Sequence, residues 1–233
     1  MAIGFRARGQ ATNAIQIDSS FSNMSLLQKG TATATTPYLY YNLPPLYYID
    51  IVITSTDLPV FAIHCEQPNH IFRSTRVGNT YTFRVITTYQ VPFEYFIFTK
   101  TSRDLGGVGL RIRNPETRGV VYNSRIKYMK VLDYLVGNYT LPNQPGSSPI
   151  LYPGKKVACV QGRYCNEVFV NILSETEVYI QYGYGMQGNP GGNTAHMTWR
   201  DAGLEGPYDT GQIQVRDEQS YVYTTLVIDV TGY

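Results

Sequence analysis

Apolar and polar residues alternate along most of the chain with the two-residue period of half-buried β-strands. In the first half, the alternation predicts strands at 4–8, 14–17, 25–35, 47–54, 60–64, 70–77, 80–89 and 93–99. In the second half, it predicts strands at 108–113, 119–123, 128–136, 156–160, 167–173, 177–184, 194–200, 212–215 and 220–230. No long stretch combines helical periodicity with capping residues. The sequence therefore predicts an all-β fold.

An internal repeat relates residues 4–27 to residues 109–132 without a gap. Each copy has the pattern of a β-hairpin followed by a third strand. The identical pairs are Gly4 with Gly109, Arg6 with Arg111, Arg8 with Arg113, Thr12 with Thr117, Ser19 with Ser124, Met24 with Met129 and Leu27 with Leu132. The repeat predicts two duplicated antiparallel β-sandwich-like units, residues 1–104 and 105–233. The sequence leaves open whether strands of one unit pair with strands of the other.

Tyrosine dominates the aromatic residues, with 21 Tyr against nine Phe and one Trp. A tyrosine ring has an apolar face and a polar tip, so it suits both half-buried strands and contact surfaces. Charged residues make up only 15% of the chain. This fits either a surface covered by neighbouring proteins or a two-layer β-protein rich in uncharged polar residues. The net charge is +2, and the basic residues are spread along the chain. We therefore expect no nucleic-acid partner.

Three cysteines, Cys65, Cys159 and Cys165, are too few and too uneven in number for a disulfide framework. We expect reduced thiols in a protein made in a cytoplasm. The first residues contain no apolar core of a signal peptide. No apolar run approaches the roughly 20 residues of a membrane-spanning helix, so we expect no membrane insertion.

The catalytic and metal-binding patterns tested all lack their required context. Residues 183–188 match the Gly-x-Gly-x-x-Gly motif of dinucleotide sites, but the Asn-Pro-Gly-Gly that follows breaks the helix that such a site needs. We interpret residues 185–193 as a flexible surface loop instead. His64, Cys65 and His70 lack the spacing of a metal knuckle. We therefore predict a non-enzymatic protein without catalytic residues, metal or cofactor.

Two Pro-rich connections, residues 37–48 and 138–154, follow the two copies of the repeat. Connections of this length often carry function; the alternative is an extended edge segment whose tyrosines pack on a sheet. Together with residues 185–193 and the single Trp, they supply candidate contact residues for a neighbouring protein or a receptor. These candidates are Tyr38, Tyr40, Tyr41, Tyr47, Tyr48, Tyr184, Met186, Asn189 and Trp199.

An ordered series of strands around the second hairpin carries a family resemblance. An aromatic strand at 93–98 precedes a Gly-hydrophobic-x-hydrophobic strand, a polar turn, a strand that ends in Asn-Ser at 123–124, and a further hydrophobic strand. This run, residues 93–136, resembles a recurring pattern of uncharacterised bacteriophage tail proteins. That pattern more usually has Asp before the Ser, as the first copy has at 18–19. It is also expected once in a chain, whereas this chain carries the hairpin twice.

The resemblance implies a structural component of the virion at the tail tip or baseplate. Such a protein assembles with other phage tail proteins as a symmetric ring or trimer. The resemblance supplies no functional residues. A second interpretation is a module that binds a receptor or carbohydrate on the host surface, because aromatic faces stack on sugar rings. A third, an enzyme that degrades the cell wall, is supported by no constellation of residues.

Overall fold

The computed structural model describes residues 6–8, 15–18, 23–38, 45–100, 108–138, 148–163, 166–172, 178–208 and 222–233. The strands are β1 (Arg6–Arg8), β2 (Ile15–Asp18), β3 (Ser25–Thr33), β4 (Thr36–Tyr38), β5 (Leu46–Thr54), β6 (Val60–His64), β7 (Asn69–Val77), β8 (Thr80–Thr87), β9 (Pro92–Thr99), β10 (Arg111–Arg113), β11 (Val120–Asn123), β12 (Lys130–Asn138), β13 (Ile150–Leu151), β14 (Val157–Gln161), β15 (Asn166–Ile172), β16 (Val178–Gly188), β17 (Thr194–Tyr208) and β18 (Val222–Asp229). A 3₁₀ turn, Pro190–Gly192, is the only helical element within those ranges. The predicted all-β, sandwich-like fold is confirmed. None of the described segments forms a helix with the length and hydropathy to cross a lipid bilayer.

The first sheet contains six antiparallel strands in the order β12-β18-β14-β6-β9-β3. Its two edge strands stand at opposite ends of this order, yet the start of β3 meets the segment immediately before β12. There the Leu26 N–H donates to the Lys127 carbonyl at 2.8 Å, and the Met129 N–H donates to the Met24 carbonyl at 2.9 Å. The sheet therefore curls enough to bring the start of β3 beside the segment that leads into β12, and these bonds use backbone groups that would otherwise be unpaired.

The second sheet runs in the order β13-β17-β16-β7-β8-β5-β4, and β15 pairs with β16 beside this path. It packs on the first sheet through a core that includes Ile51, Phe83 and Phe61. The curled face of the first sheet carries a second core around Phe96 and Phe98. Strand β9 is thus covered on both faces, which its nearly continuous apolar and aromatic sequence PFEYFIFT allows.

The internal repeat recurs in the strand registers. Arg6 faces Asp18 in the β1–β2 hairpin, and Arg111 faces Asn123 in the β10–β11 hairpin. Each hairpin has an irregularity just before its second arginine. The offset of 105 residues from Arg6 to Arg111 also relates β3 to β12 from their first to their last residue. The two copies of the repeat therefore fold alike.

The two units, residues 1–104 and 105–233, share both of these sheets. In the first sheet β6 pairs with β14 through Ile63 and Cys159, and in the second sheet β7 pairs with β16 through Asn69 and Gln187. The pairing between units that the sequence left open is therefore present. The boundary near residue 104 marks a position along the chain, and neither sheet ends there.

The interpretation of residues 185–193 as a flexible surface loop is wrong for its first half. Residues 183–188 lie in β16, inside the second sheet, and residues 185–189 are buried. Glycine fits here because neighbouring backbone comes close: a Cβ on Gly188 would lie 3.4 Å from the Gln67 carbonyl oxygen. Strand β17 likewise continues past its predicted end at residue 200. The predicted strand at 212–215 lies outside the described residues.

Candidate functional site

A cluster of aromatic side chains covers the outer face of the second sheet. Tyr38, Tyr48 and Phe72 pack there on a small apolar group that includes Ile86 and Met186. The Tyr38 and Tyr48 rings meet edge to face with centroids 6.1 Å apart, and the Tyr38 and Phe72 centroids are 5.5 Å apart. These separations are typical of favourable aromatic pairs. Three of the predicted contact residues, Tyr38, Tyr48 and Met186, therefore lie together in this cluster. Tyr38 and Tyr48 are partly exposed.

An ion pair extends this tyrosine cluster along the same face. The Arg84 guanidinium stacks over the Tyr48 ring, 4.3 Å from its centroid. It also donates two hydrogen bonds to Asp50, at 2.8 and 2.7 Å. The hydrogen bonds from Arg84 lower the pKa of Asp50, and the same contact raises the pKa of Arg84. Such a forked pair holds both side chains in one orientation.

A shallow groove of about 220 Å³ adjoins this pair. Its lining residues, here named the polar groove, are Asp50, Arg73, Thr75, Thr82 and Arg84. They lie on three neighbouring strands, and the cross-strand pairs Asp50–Arg84 and Thr75–Thr82 set their spacing. The groove offers hydroxyl, carboxylate and guanidinium groups beside an aromatic cluster, which suits a polar ligand with some apolar surface.

The remaining predicted contact residues have different surroundings. Tyr47 is half-buried on β5, opposite Thr87. Tyr40 and Tyr41 lie outside the described residues. Tyr184 and Trp199 lie on β16 and β17, and their side chains are outside the described part of the chain. Of the candidates whose side chains are described, Tyr38 and Tyr48 are the ones that lie partly exposed in the aromatic cluster.

Met186 and Asn189 are corrections to the predicted contact surface, because both side chains are completely buried. Asn189 joins the two copies of the repeat: its Oδ1 accepts from the Cys65 N–H at 3.2 Å, and its Nδ2 donates to the Thr194 carbonyl at 2.9 Å. A further contact runs from Nδ2 to the Cys159 sulfur at 3.4 Å. Buried amides that satisfy backbone groups in this way stabilise a fold. Asn189 therefore has a structural role.

Strand β12 carries an apolar stripe that was not predicted from the sequence. Val131, Tyr134 and Val136 are 52, 59 and 60% exposed. They face Ile228, Leu226 and Thr224 across the β12–β18 ladder, and directly paired residues share one face of a sheet. These three side chains, here named the apolar stripe, therefore line one face of an edge strand.

The repeat itself contains the signal that could have revealed the apolar stripe. By the offset of 105 residues, from Arg6 to Arg111, Tyr134 corresponds to Lys29 and Val136 to Thr31. At these two positions the first copy has polar residues where the second copy has apolar ones, whereas Val131 corresponds to the apolar Leu26. A comparison of the two copies for changes in polarity, rather than for identities, would have singled out β12.

The described cysteines and histidines have structural surroundings. Cys65 and Cys159 are free, buried thiols, and burial raises the pKa of Cys159 to about 12. The His64 Nδ1 lies 2.6 Å from the Val157 carbonyl oxygen. His70 is fully buried, and burial lowers its pKa to about 4. Within the described ranges, no three His, Cys, Asp or Glu side chains converge as a metal site.

Comparison with known proteins gives no relative: no protein-family model, curated protein or solved structure matches the chain.

Proposed function

We propose that this chain is a structural component of a bacteriophage tail tip or baseplate, which assembles with itself and with other tail proteins. The observation that carries the proposal is the apolar stripe of Val131, Tyr134 and Val136 on β12. Contiguous exposed apolar side chains on a folded protein are typical of a surface that another molecule covers. The resemblance of residues 93–136 to phage tail proteins supports a location of that contact in a phage tail.

The geometry of β12 favours a contact through side chains over the addition of a strand at Tyr134. The Tyr134 N–H donates to Oδ1 of Asp133 at 2.8 Å, so this backbone donor is already occupied. Asp133 also accepts a hydrogen bond from the Tyr152 hydroxyl at 3.2 Å. Edge strands blocked in this way resist pairing with another sheet. The exposed rings and methyl groups of the stripe remain available for packing.

A second copy of the chain is the occupant that we assign to the apolar stripe. Contacts about a two-fold axis place the same patch of each molecule against the other, so one apolar strand face supplies both sides of the interface. The polar residues Lys29 and Thr31 at the corresponding positions of β3 favour a contact through the second copy of the repeat alone.

Location in the virion is tested by labelling particles of the phage that encodes the chain. Antibodies raised against the purified protein are applied to intact virions and viewed by electron microscopy with gold label. We expect label at the distal end of the tail, and mass spectrometry of purified virions should detect the chain. Its absence from washed particles would overturn the assignment to the virion.

The polar groove favours a second candidate function, the binding of a host-surface carbohydrate. Thr75 and Thr82 offer hydroxyl groups, Asp50 and Arg84 offer a fixed ion pair, and Tyr48 stacks beside them. Pairs of polar groups next to an aromatic face are a common arrangement for binding sugars.

A glycan array with the purified chain tests this second candidate. Arg73→Ala should abolish binding of any glycan held in the groove. Lys100→Ala, which removes an exposed cation just past the end of β9, should leave binding unchanged. A chain that binds no glycan, or that binds equally after Arg73→Ala, would remove this candidate.

A further inference from the structure

The second sheet opens into two branches beside β7. On one side β7 pairs with β8 from Asn69 to Val77. On its other side the ladder to β16 contains only the pair of Asn69 with Gln187. Between Val178 and Tyr184, β16 pairs with β15 instead. Among the described residues, no strand pairs with this side of β7 beyond its first residue, and this unpaired stretch is here named the gap.

A side chain from the first sheet occupies the first position of this gap. The Ile71 N–H donates to Oε1 of Gln161 at 2.8 Å, and Nε2 of Gln161 donates to the Ile71 carbonyl at 3.0 Å. A neighbouring strand makes the same pair of bonds through its own peptide groups. The Gln161 carboxamide thus takes the place of one peptide unit and shows that this edge of β7 is aligned for pairing.

The backbone of β7 directs further groups into the gap. Val77 and Thr80 flank the two-residue turn of Gly78, with φ of 60°, and Asn79. In such a hairpin the flanking residues bond to each other, and bonding to the partner strand then alternates along the ladder. Val77 and Thr75 therefore point their backbone groups toward β8, whereas Ser74 points its N–H and carbonyl toward the gap. The ladder has a register shift between Ile71 and Arg73. Because such a shift changes the alternation by one residue, the N–H and carbonyl of Ile71 also point away from β8.

Below the gap lies an open groove of about 500 Å³ between the two sheets. Its floor contains the core rings of Phe61 and Phe83, which stack with centroids 4.6 Å apart. Gln161 closes one side, and Arg73 and Ser74 form the rim. The groove therefore combines an apolar floor with an outward-facing strand edge, the two features that a bound extended peptide uses.

We propose that an extended segment of a partner protein adds as a strand to β7, with one apolar side chain on the Phe61–Phe83 floor and an acidic residue beside Arg73. Backbone bonds to Ser74 continue the ladder that Gln161 begins. Charge selects the partner: β7, with sequence NHIFRSTRV, carries Arg73 and Arg76 and no acid. This inference rests on the proposed assembly role, because it specifies the kind of tail component that the chain would bind.

The probe for this site is a labelled peptide, acetyl-Glu-Val-Thr-Ile-Thr-Val-Glu-amide, together with a second peptide in which both Glu are Lys. Binding to the full chain is measured by fluorescence anisotropy. We expect the Glu peptide to bind at least about tenfold more tightly than the Lys peptide. Arg73→Glu should reverse this preference, and Lys100→Glu, the same charge change just past the end of β9, should preserve it.

Ser74→Pro tests the backbone contact itself. Proline removes the N–H that the incoming strand needs, but it spares the β7–β8 ladder if Ser74 points outward. We expect an unchanged melting temperature within a few degrees and a loss of about tenfold or more in affinity for the Glu peptide. If Ser74→Pro unfolds the chain, protection of the Ser74 amide from hydrogen exchange on peptide binding is measured in the unmodified protein instead.

The outcomes separate this inference from the proposed function. No binding of the Glu peptide, equal binding of both peptides, or no added protection at Ser74 would overturn strand addition at β7. None of these results changes the oligomeric mass that the apolar stripe predicts. Loss of the oligomer with intact peptide binding would instead overturn the assembly contact and retain the β7 site.

Discussion

Ile63 of β6 and Cys159 of β14 are direct partners in one antiparallel ladder, and this pair joins the two copies of the repeat within a single sheet. On either side of it the first sheet has the same arrangement: β6-β9-β3 in one direction and β14-β18-β12 in the other. Each half contributes three strands to this sheet. The molecule thus has the organisation of a two-fold dimer whose subunits are linked in one chain.

This shared sheet predicts cooperative unfolding. Separation of the halves would expose Ala62, Ala158 and Ile228, which are buried together in the curled core, and break the ladder between β6 and β14. We expect one calorimetric transition whose van't Hoff enthalpy matches the measured enthalpy per cooperative unit. Two well-separated transitions, reproduced by fragments 1–104 and 105–233 expressed alone, would contradict the shared-sheet organisation.

Asn189 should be essential for the stability of the junction between the copies. Asn189→Ala removes the partners of the Cys65 N–H and the Thr194 carbonyl in the interior. Buried groups that lose their hydrogen-bond partner are costly, so we expect a loss of about 2–4 kcal/mol in the free energy of unfolding by urea titration. Gln28→Ala removes only a surface bond to Tyr95 and should cost under about 1 kcal/mol. Similar losses in the two variants would argue against the structural role of Asn189.

His70 should make the protein sensitive to mild acid. Burial lowers its pKa in the folded state to about 4, from the usual 6.5 of a histidine. Stability from the neutral imidazole is therefore complete above pH 6.5 and decreases as the pH falls toward 4, by roughly 3 kcal/mol in total. We expect His70→Gln to have a flatter dependence of unfolding free energy on pH across that window. Parallel pH profiles for the two proteins would contradict the lowered pKa.

Tyrosine rings cover glycines on the first sheet. Gly30 is paired directly with Tyr95, and a Cβ on Gly30 would overlap the end of the Tyr95 ring. Because that ring also stacks on Phe61, with centroids 5.9 Å apart, it does not move away freely. We expect Gly30→Ala to cost about 1–3 kcal/mol.

A double-mutant cycle checks the cause of this loss. Adding Tyr95→Leu to Gly30→Ala should recover part of the stability relative to the sum of the single changes. Gly119→Ala, where the nearest atom to a new Cβ would be 3.4 Å away, serves as the control and should be nearly neutral. Strictly additive effects of the two substitutions would show that the ring does not cause the loss.

The fold class could be predicted from the sequence because the strands carry their period locally. The alternation in 60–64 and the hairpin pattern in 109–123 correspond to β6, β10 and β11 almost residue for residue. By contrast, the glycines of residues 183–188 interrupt the apolar pattern of β16, and their composition is typical of a turn. The sequence therefore predicted a loop there, although neighbouring strands bury this segment. Burial of Met186 and Asn189 depends on contacts with distant strands, which no local pattern records.

In the candidate site, too, some residues could be predicted from the local sequence and others depend on contacts between strands. Tyr38 and Tyr48 were identified from composition and loop length, and both lie in one exposed cluster. Arg84 and Asp50 were missed, since their pairing requires β5 and β8 to be neighbours in register. The exposure of Tyr134 was missed as well, because an apolar residue on a strand is normally assigned to a core.

Native mass in solution tests the assembly role most directly. Light scattering behind a sizing column is applied to the unmodified chain, to Val136→Lys and to the matched control Thr31→Lys, which places the same residue at the corresponding position of the first copy. We expect a closed oligomer for the unmodified chain and for Thr31→Lys, and a shift toward the monomer for Val136→Lys. A monomeric unmodified chain, or an oligomer that Val136→Lys leaves intact, would contradict the assembly role.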